Sequence, residues 1–336
     1  MLLLSFGGPD GPDDVMPFLA NVVGGRPVPP ERLEQVAAHY MLFGGRSPIN
    51  AANRALLAAL QSEFASHGRP RPVYWGNRNW KPYVADAVAQ MRDDGVERAA
   101  VFVTSAYSSY SSCRQYLEDL ERARKEVGAG APESVKLRPY FNHPGFVEPL
   151  AEGLRAALTE AGAGVPVLMS AHSIPESMAA TCDYEGQLRE TATLVAAAAG
   201  VPEGRWRLVY QSRSGPPAQP WLGPDLLDVI AGLPAGTTRV VVAPIGFVSD
   251  HMEVVYDLDT QARDAAAARG VRLVRSPTPG GHPRFVHMVC ELIAELEDPE
   301  GSSPLSCGPS APAPSPCRPG CCPPPHRPGR GRIRRP

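Results

Sequence analysis

The 336-residue chain has no long hydrophobic run: nothing approaches the roughly 20 apolar residues that span a bilayer. Its opening, MLLLSFGGPDG, is too short for a signal peptide and lacks a basic start, so a cytoplasmic protein without a transmembrane segment is expected. Charge of one sign is also missing. A formal net charge of -2 gives no basic field, which argues against a nucleic-acid partner. Neither G-x-G-x-x-G nor G-x-x-x-x-G-K-[ST] occurs. The glycine-rich loops at 6–12 (FGGPDGP) and 43–50 (FGGRSPIN) match neither pattern, which disfavours a nucleotide enzyme. Seven cysteines in a chain this long, without an export signal, do not read as a disulfide framework.

What is present is globular. Hydrophobic residues make up 43% of the chain, ample for buried cores, and the length suits about two domains. Short β-rich apolar runs lie at 2–6, 73–77, 99–105 and 135–140, and again at 165–170, 206–211, 239–245 and 272–275. Helical patterns lie between and around them, near 13–23, 30–42, 49–66, 83–94, 113–127, 144–161, 185–199, 225–232, 250–268 and 283–296. The alternation predicts parallel sheets covered on both faces. Pro30, Pro82, Pro144 and Pro283 stand at or near first helical turns, where a missing N–H costs nothing. The expected fold class is α/β, with two similar Rossmann-like lobes over 1–142 and 143–300. Each is a roughly four-stranded parallel sheet flanked by helices, and the cleft between them is the expected site. Residues 301–336 form a Pro/Cys/Arg-rich tail. From Pro304 onward it holds eleven of the 38 prolines and Arg318, Arg327, Arg330, Arg332, Arg334 and Arg335, with no acidic residue. Such a composition cannot build a packed core.

Two segments carry the chemistry. His172, in LMSAHSIP, closes one strand-like run, and GFVSDHMEVVYDLD at 246–259 follows another. Spacings of three and four place Asp250, Glu253 and Asp257 on one side of a helix. Imidazole with carboxylate suits a borderline cation such as ferrous iron, and strand ends in open α/β sheets are where ligands bind. Each residue alone also has a structural reading. A histidine after a strand is usually held by hydrogen bonds, and a helix dipole favours acids in the first turn, which accounts for Asp250 but not Asp257. Polar and aromatic clusters at 46–47, 74–83, 104–116, 170–177 and 210–223 also follow strands. In them Trp75, Trp80, Tyr107, Tyr110, Tyr116 and Trp221 are candidate flat walls, and Arg46, Arg78 and Arg213 candidate rim cations, for a large, flat, anionic ligand.

Taken in order over residues 1–296, LLLSFGGP, FGGRSPIN, YWGNRNWKPY, TSAYSSYSSC, LMSAHSIP, YQSRSGPP and PIGFVSDHMEVVYDLD resemble the ferrochelatase family, which inserts ferrous iron into a porphyrin. The wording FGGP, GNRNW and SSYSSC looks most like the actinobacterial branch, whose members resemble coproporphyrin III ferrochelatases. The resemblance implies Fe(2+) and coproporphyrin III as substrates, and coproheme as a product handed to a downstream coproheme decarboxylase. It implies His172 and Glu253 as iron ligands and acceptors of the pyrrole protons, and Asp257 as a relay along the helix. Ser47, Tyr116 and Arg46 would contact the porphyrin. Asp250 is left as a helix-start residue, Gln261 ends the acidic ladder, and Phe6 stands where some relatives place an axial tyrosine. A [2Fe–2S] cluster on Cys113, Cys307, Cys317 and Cys322 is also implied, with Cys321 a rival for the last position. The alternatives are a protoporphyrin IX ferrochelatase, a cobalt chelatase and, outside the enzymes, a porphyrin or haem carrier. A carrier has no use for a proton-accepting histidine and glutamate.

Overall fold

The computed structural model describes residues 1–216 and 218–325. The tail arginines Arg327, Arg330, Arg332, Arg334 and Arg335 lie outside the described residues. Leucine- and valine-rich runs form eight short strands, as β-branched and apolar residues suit a sheet buried on both faces. Strands β1 (Leu2–Ser5), β2 (Tyr74–Asn77), β3 (Arg98–Val103) and β4 (Glu133–Lys136) make one parallel sheet, in the order β2-β1-β3-β4. Strands β5 (Val167–His172), β6 (Trp206–Gln211), β7 (Arg239–Ala243) and β8 (Arg272–Arg275) make a second, in the order β6-β5-β7-β8. The two orders follow one pattern. In each, the chain steps to one side of its first strand and then returns to the other, so a crevice opens at the carboxyl ends of β1 and β3, and of β5 and β7.

Parallel neighbours require crossover connections, and helices supply them. The first sheet is accompanied by α1 (Val15–Val23), α2 (Pro30–Met41), α3 (Ile49–Ser66), α4 (Val84–Asp93) and α5 (Gln115–Val127). Along the second run α6 (Pro144–Ala161), the short α7 (Glu176–Ala179), α8 (Tyr184–Ala199), α9 (Leu226–Ala231), α10 (Met252–Tyr256), α11 (Arg263–Ala267) and α12 (Pro283–Glu297). The two-lobed α/β architecture expected from the sequence is therefore present. Three local expectations are corrected. Strand β4 stops at Lys136, short of the expected Tyr140, because Pro139 has no N–H to continue the ladder. Strand β5 runs on to His172, two residues beyond its expected end. The single helix expected at 250–268 is split by a π-helical segment, Asp257–Ala262, between α10 and α11.

Strand alternation sorts the core. Leu3 and Phe102 face inward with Phe64 of α3, Phe146 and Leu150 of α6, Met169 of β5, Leu188 of α8 and Val289 and Leu292 of α12, in one apolar cluster shared by the two sheets. Leu2, Leu4, Val101 and Val103 point the other way, onto α4 and α5. Helix α12 packs on α6 and on α3, so it touches elements of both halves. A buried ion pair secures it. Arg138 Nε and Nη2 donate to Glu295 at 2.6 and 2.9 Å, with the side chains only 2% and 9% exposed.

The described part of the tail, up to residue 325, adds no hydrophobic cluster, but its backbone is tied to the body. Arg138 Nη2 donates to the Leu305 carbonyl at 2.8 Å, and Asn142 Nδ2 to that of Ser310 at 2.9 Å. Ser315 Oγ donates to the Lys136 carbonyl at 3.2 Å, and Thr181 Oγ1 to that of Pro323 at 3.3 Å. Removing one partner of a buried ion pair leaves an uncompensated charge, at a cost of about 3–5 kcal/mol. Glu295→Ala is expected to lower the free energy of unfolding by that amount in urea titrations followed by circular dichroism, and an unchanged midpoint would refute the importance given to this pair.

Candidate active site

His172 is the last residue of β5, and Glu253 the second of α10, the helix that follows β7; β5 and β7 flank the second crevice. The His172 Nδ1–H donates to its neighbour's carbonyl on Ser173, which turns Nε2 to within 3.4 Å of Glu253 Oε1. Glycine makes this meeting sterically possible. The Gly246 N–H donates to the Ser170 carbonyl at 3.0 Å, and a Cβ at 246 would stand 2.6 Å from Ala171 Cα. Only a residue without a side chain lets the segment after β7 lie against β5 beside His172. The helix then starts on His251, whose Nδ1 accepts the Glu253 N–H at 3.3 Å.

A second layer of polar groups surrounds the pair. Tyr184 donates its hydroxyl to the His172 carbonyl at 2.9 Å. Gln211, at the end of β6, donates Nε2 to the Glu253 carbonyl at 2.5 Å and to Asp257 Oδ2 at 3.4 Å, while the Ser212 hydroxyl donates to Asp257. Ser212 has φ of 62°, a conformation few L-residues adopt, and such strain persists where surrounding structure over-determines it. One contact comes from the other lobe: His39 of α2 stacks on Tyr256 of α10 with ring centroids 3.8 Å apart.

These surroundings set the charges. Half of the Glu253 side chain faces the open cleft. Burial nevertheless works to raise its carboxyl pKa, but His172 and His251 outweigh it and hold the group down at about 2. For His172, burial pulls the imidazole down, and the carboxylates of Glu253 and Asp257 with the Ser173 carbonyl raise it to about 9. Burial lifts Asp257 to about 6, against the pull of the Ser212 hydroxyl. At neutral pH the site therefore holds an imidazolium, a firm carboxylate and a second carboxylate near its own titration point.

The other expected site residues are placed as follows. Tyr116 is buried on α5 under the Arg78 guanidinium, 4.6 Å from the ring centroid. Burial first, with Glu253 among the neighbouring charges, raises its hydroxyl pKa, so Tyr116 shares the surroundings of the pair. Ser47 is buried where the two glycine-rich loops meet; its N–H donates to the Pro9 carbonyl at 2.9 Å, and a Cβ on Gly8 would collide with its side chain. Arg46 is exposed and donates Nε to the Asp10 carbonyl at 2.9 Å. Asp250 is not a helix-start residue. It precedes the cap and accepts two bonds from Arg275, at 3.1 and 2.9 Å, and one from Thr278 at 3.0 Å. Two expected cleft walls are core instead: Trp80 packs on Phe18, and Tyr107 donates its buried hydroxyl to the Ile245 carbonyl at 2.8 Å, joining the loop after β3 to the loop after β7. Arg78, another candidate for the rim, is mostly buried and pairs with Asp119. Residue-by-residue reading missed His251, Tyr184 and the anchoring role of Gln211 and Ser212. The signals were there, in D-H-x-E and in the polar run after β6.

The ferrochelatase family matches residues 1–297 in one continuous stretch. The chain belongs to the ferrochelatase family. It is similar to a protein of Rhodopirellula baltica named ferrochelatase, 54% identical over 88% of this chain and 85% of that one. It is also similar to proteins named coproporphyrin III ferrochelatase from Mycolicibacterium vanbaalenii, 53% identical over 88% and 89%, and Mycobacterium tuberculosis, 50% identical over 96% and 94%. Among solved structures, the sirohydrochlorin chelatase SirB from Bacillus subtilis, in complex with cobalt, shares the fold: the TM-score is 0.53 at 13% identity, over 90% of this chain and 96% of that one. Among the described residues no helix is long and apolar enough to cross a membrane.

The seven cysteines of the chain are free thiols. Cys113 is buried in the π-helical turn Tyr110–Arg114, and the thiols of Cys317 and Cys322 are among the groups that influence its own, as Cys113 and Cys321 do that of Cys317. Contact with Cys113 and then burial push the Cys317 thiol above the ordinary range, while the buried Lys136 pulls it back. Cys307 stands apart from these contacts, donating its thiol to the Asn142 carbonyl at 3.2 Å. Of the four cysteines expected to cluster, Cys113, Cys317 and Cys322 influence one another's thiols together with Cys321, and Cys307 has a separate partner.

The titration of the central pair has a definite sign. The His172 pKa is raised, so its contribution to stability is full below its ordinary 6.5 and is lost as pH climbs through about 9. The Glu253 pKa is depressed, so its contribution is full above its ordinary 4.5 and is lost as pH falls through about 2. Both are complete between those ordinary values. In Glu253→Gln the His172 imidazole is expected to titrate at least about one unit lower by NMR, and the stability difference from wild type should shrink as pH rises past 9. An unmoved imidazole titration would mean the two side chains do not interact.

Proposed function

We propose that the chain inserts Fe(2+) into coproporphyrin III and releases coproheme for a decarboxylating step of haem synthesis. The observation that carries this reading is the facing of His172 Nε2 and Glu253 Oε1 at the crevice of the second lobe, in a chain half identical to proteins bearing that activity in their names. Insertion exchanges two pyrrole protons for one divalent ion, so the site has to take up protons and present ligands in turn. While protonated, His172 Nε2 cannot bind iron. Its proton has to leave, and the imidazole then offers one lone pair, to iron or to a pyrrole proton. Glu253 takes the complementary role. Asp257, held near a pKa of about 6, suits a relay that accepts a proton or an ion from the inner pair and passes it outward near neutral pH. Ser47, Tyr116 and Arg46 would contact the porphyrin. Lobes divided at 142–143, one bearing the glycine loops and one the metal pair, fit such a cleft.

The thiol group on Cys113, Cys317, Cys321 and Cys322 has the donor chemistry of a [2Fe–2S] site, and Lys136 and Arg114 offer positive charge to offset thiolates. When bound, such a cluster would supply a redox-sensitive joint, and these side chains would fasten the tail to the α5 side of the fold. Cys321, rather than Cys307, is proposed as the fourth ligand.

His172→Ala is expected to abolish iron insertion in an anaerobic assay while coproporphyrin III affinity stays within about tenfold, a difference of ~1.4 kcal/mol. Wild-type protein is expected to metallate coproporphyrin III faster than protoporphyrin IX in side-by-side assays; the reverse order would overturn the substrate assignment, and normal insertion by His172→Ala would overturn the site. Anaerobically purified protein is expected to show visible iron–sulfur absorption that is lost in Cys317→Ser and Cys321→Ser and kept in Cys307→Ser. Colourless wild-type protein would rule the cluster out.

A further inference from the structure

Away from the cleft, α3 and α12 lie against each other, and each brings a histidine and a glutamate to the contact. Glu63 is in the last turn of α3 and His67 at its C-terminal cap; His287 and Glu291 lie one turn apart on α12. His287 Nδ1 is 2.8 Å from Glu63 Oε1, His67 Nδ1 is 3.7 Å from the same oxygen, and the two imidazole rings are 5.3 Å apart, centroid to centroid. One ligand atom from each of Glu63, His67 and His287 lies within 4.8 Å of the other two. We propose that these three residues form a second metal site, for a divalent transition ion of the zinc and cobalt class, that clamps α12 onto α3.

The chemistry of the donor set points to that class. Two imidazoles and one carboxylate are borderline ligands that suit zinc, cobalt or ferrous iron and suit magnesium or calcium poorly. A tetrahedral ion with bonds of about 2.0–2.1 Å holds its ligand atoms roughly 3.3 Å apart. The present separations need to close by no more than about an ångström and a half to reach that, and side-chain rotation on two half-exposed helix faces supplies such movement. Ordinary ion pairing accounts for Glu63 with either histidine. A hydrogen bond from His67 Nδ1 to the Glu63 carbonyl at 2.9 Å holds the first ring at the helix end, and the two imidazoles then stand around one carboxylate with an outer partner already in place. His287 Nε2 faces Glu291 Oε1 at 3.7 Å, and Glu291 is in turn held by Arg284 Nη1 at 2.6 Å. A carboxylate on the far nitrogen of a metal-bound histidine fixes the ring and raises its basicity. His67 is exposed, which leaves the fourth position to water.

This site is separate from the pair in the cleft. Helix α3 has 18 residues and is therefore about 27 Å long. Its first turn adjoins the Ser47 loop, and its last carries Glu63. An ion here would bridge the first lobe to the helix that leads into the tail.

Cobalt titration of the full chain tests the assignment. In a His172→Ala background, which removes the cleft ligand, one equivalent of Co(2+) is expected to give tetrahedral d–d absorption without thiolate charge-transfer bands. That equivalent should be lost when His67→Ala and His287→Ala are added, with circular dichroism unchanged. Glu291→Gln, which leaves the three ligands in place, is expected to weaken Co(2+) and Zn(2+) binding about 10–100-fold. With His172 intact, the His67→Ala/His287→Ala protein should insert iron normally but lose the rise in melting temperature that Zn(2+) gives wild type. The same stoichiometry and spectrum with and without the two histidines, or bands that vanish in Cys317→Ser instead, would overturn the site.

Discussion

The close approach of Gly246 to Ala171 is the constraint on which the site depends. Adjacent parallel strands already place the ends of β5 and β7 side by side, but a shared edge does not bring a histidine and a glutamate face to face. The chain leaving β7 has to fold back over the final residues of β5 before helix α10 begins, and a Cβ at 246 would collide with Ala171 Cα at 2.6 Å. Its neighbours then become a lattice of supports. His251 caps the helix, Gln211 and Ser212 hold the following carboxylate from β6, and Tyr107 of the first lobe bonds to Ile245, one residue before the glycine. Removing any one of these loosens the same short segment.

The arrangement is also an electrostatic compromise. Burial disfavours charge on His172, Glu253 and Asp257 alike, and mutual attraction, helped by the Ser173 carbonyl, Asp257 and His251, keeps the first two ionised. Three ionisable groups with pKa values of about 9, 2 and 6 are thereby packed into one crevice. Such spreading of proton affinities is what acid and base work at a single site requires. A divalent ion entering would change all three at once, since its charge replaces the proton that each of them would otherwise share.

Much of this was legible in the sequence, for identifiable reasons. Short apolar runs and helical spacing located the strands and most helices, since those patterns follow from which faces are buried. His172 and Glu253 stood out because both lie after apolar strand-like runs, where open α/β sheets usually bind ligands, and their pairing came from the resemblance of their motifs. The failures share a different cause. Asp250 looked like part of an acidic ladder at regular helical spacing, but the ladder assumes an unbroken helix, and here the helix starts at Met252 and passes into a π segment at Asp257. Trp80 and Tyr107 looked like cleft walls because they stand next to strand ends, and nothing local signals that their rings turn inward. Cys321 and Cys322 could not be ranked by spacing, and the position of Cys307 was not legible, because the path of a proline-rich tail is set by distant partners such as Asn142, Arg138 and Lys136.

The stack of His39 on Tyr256 ties the lobes together at the cleft. Helix α2 belongs to the first lobe, whereas Tyr256 sits three residues beyond Glu253 on the helix that carries it. His172, by contrast, is anchored in the sheet of the second lobe. A hinge movement that carried α2 away would pull on one member of the acid–base pair and not on the other. The ring stack thus fastens the helix of Glu253, and not the strand of His172, to the first lobe.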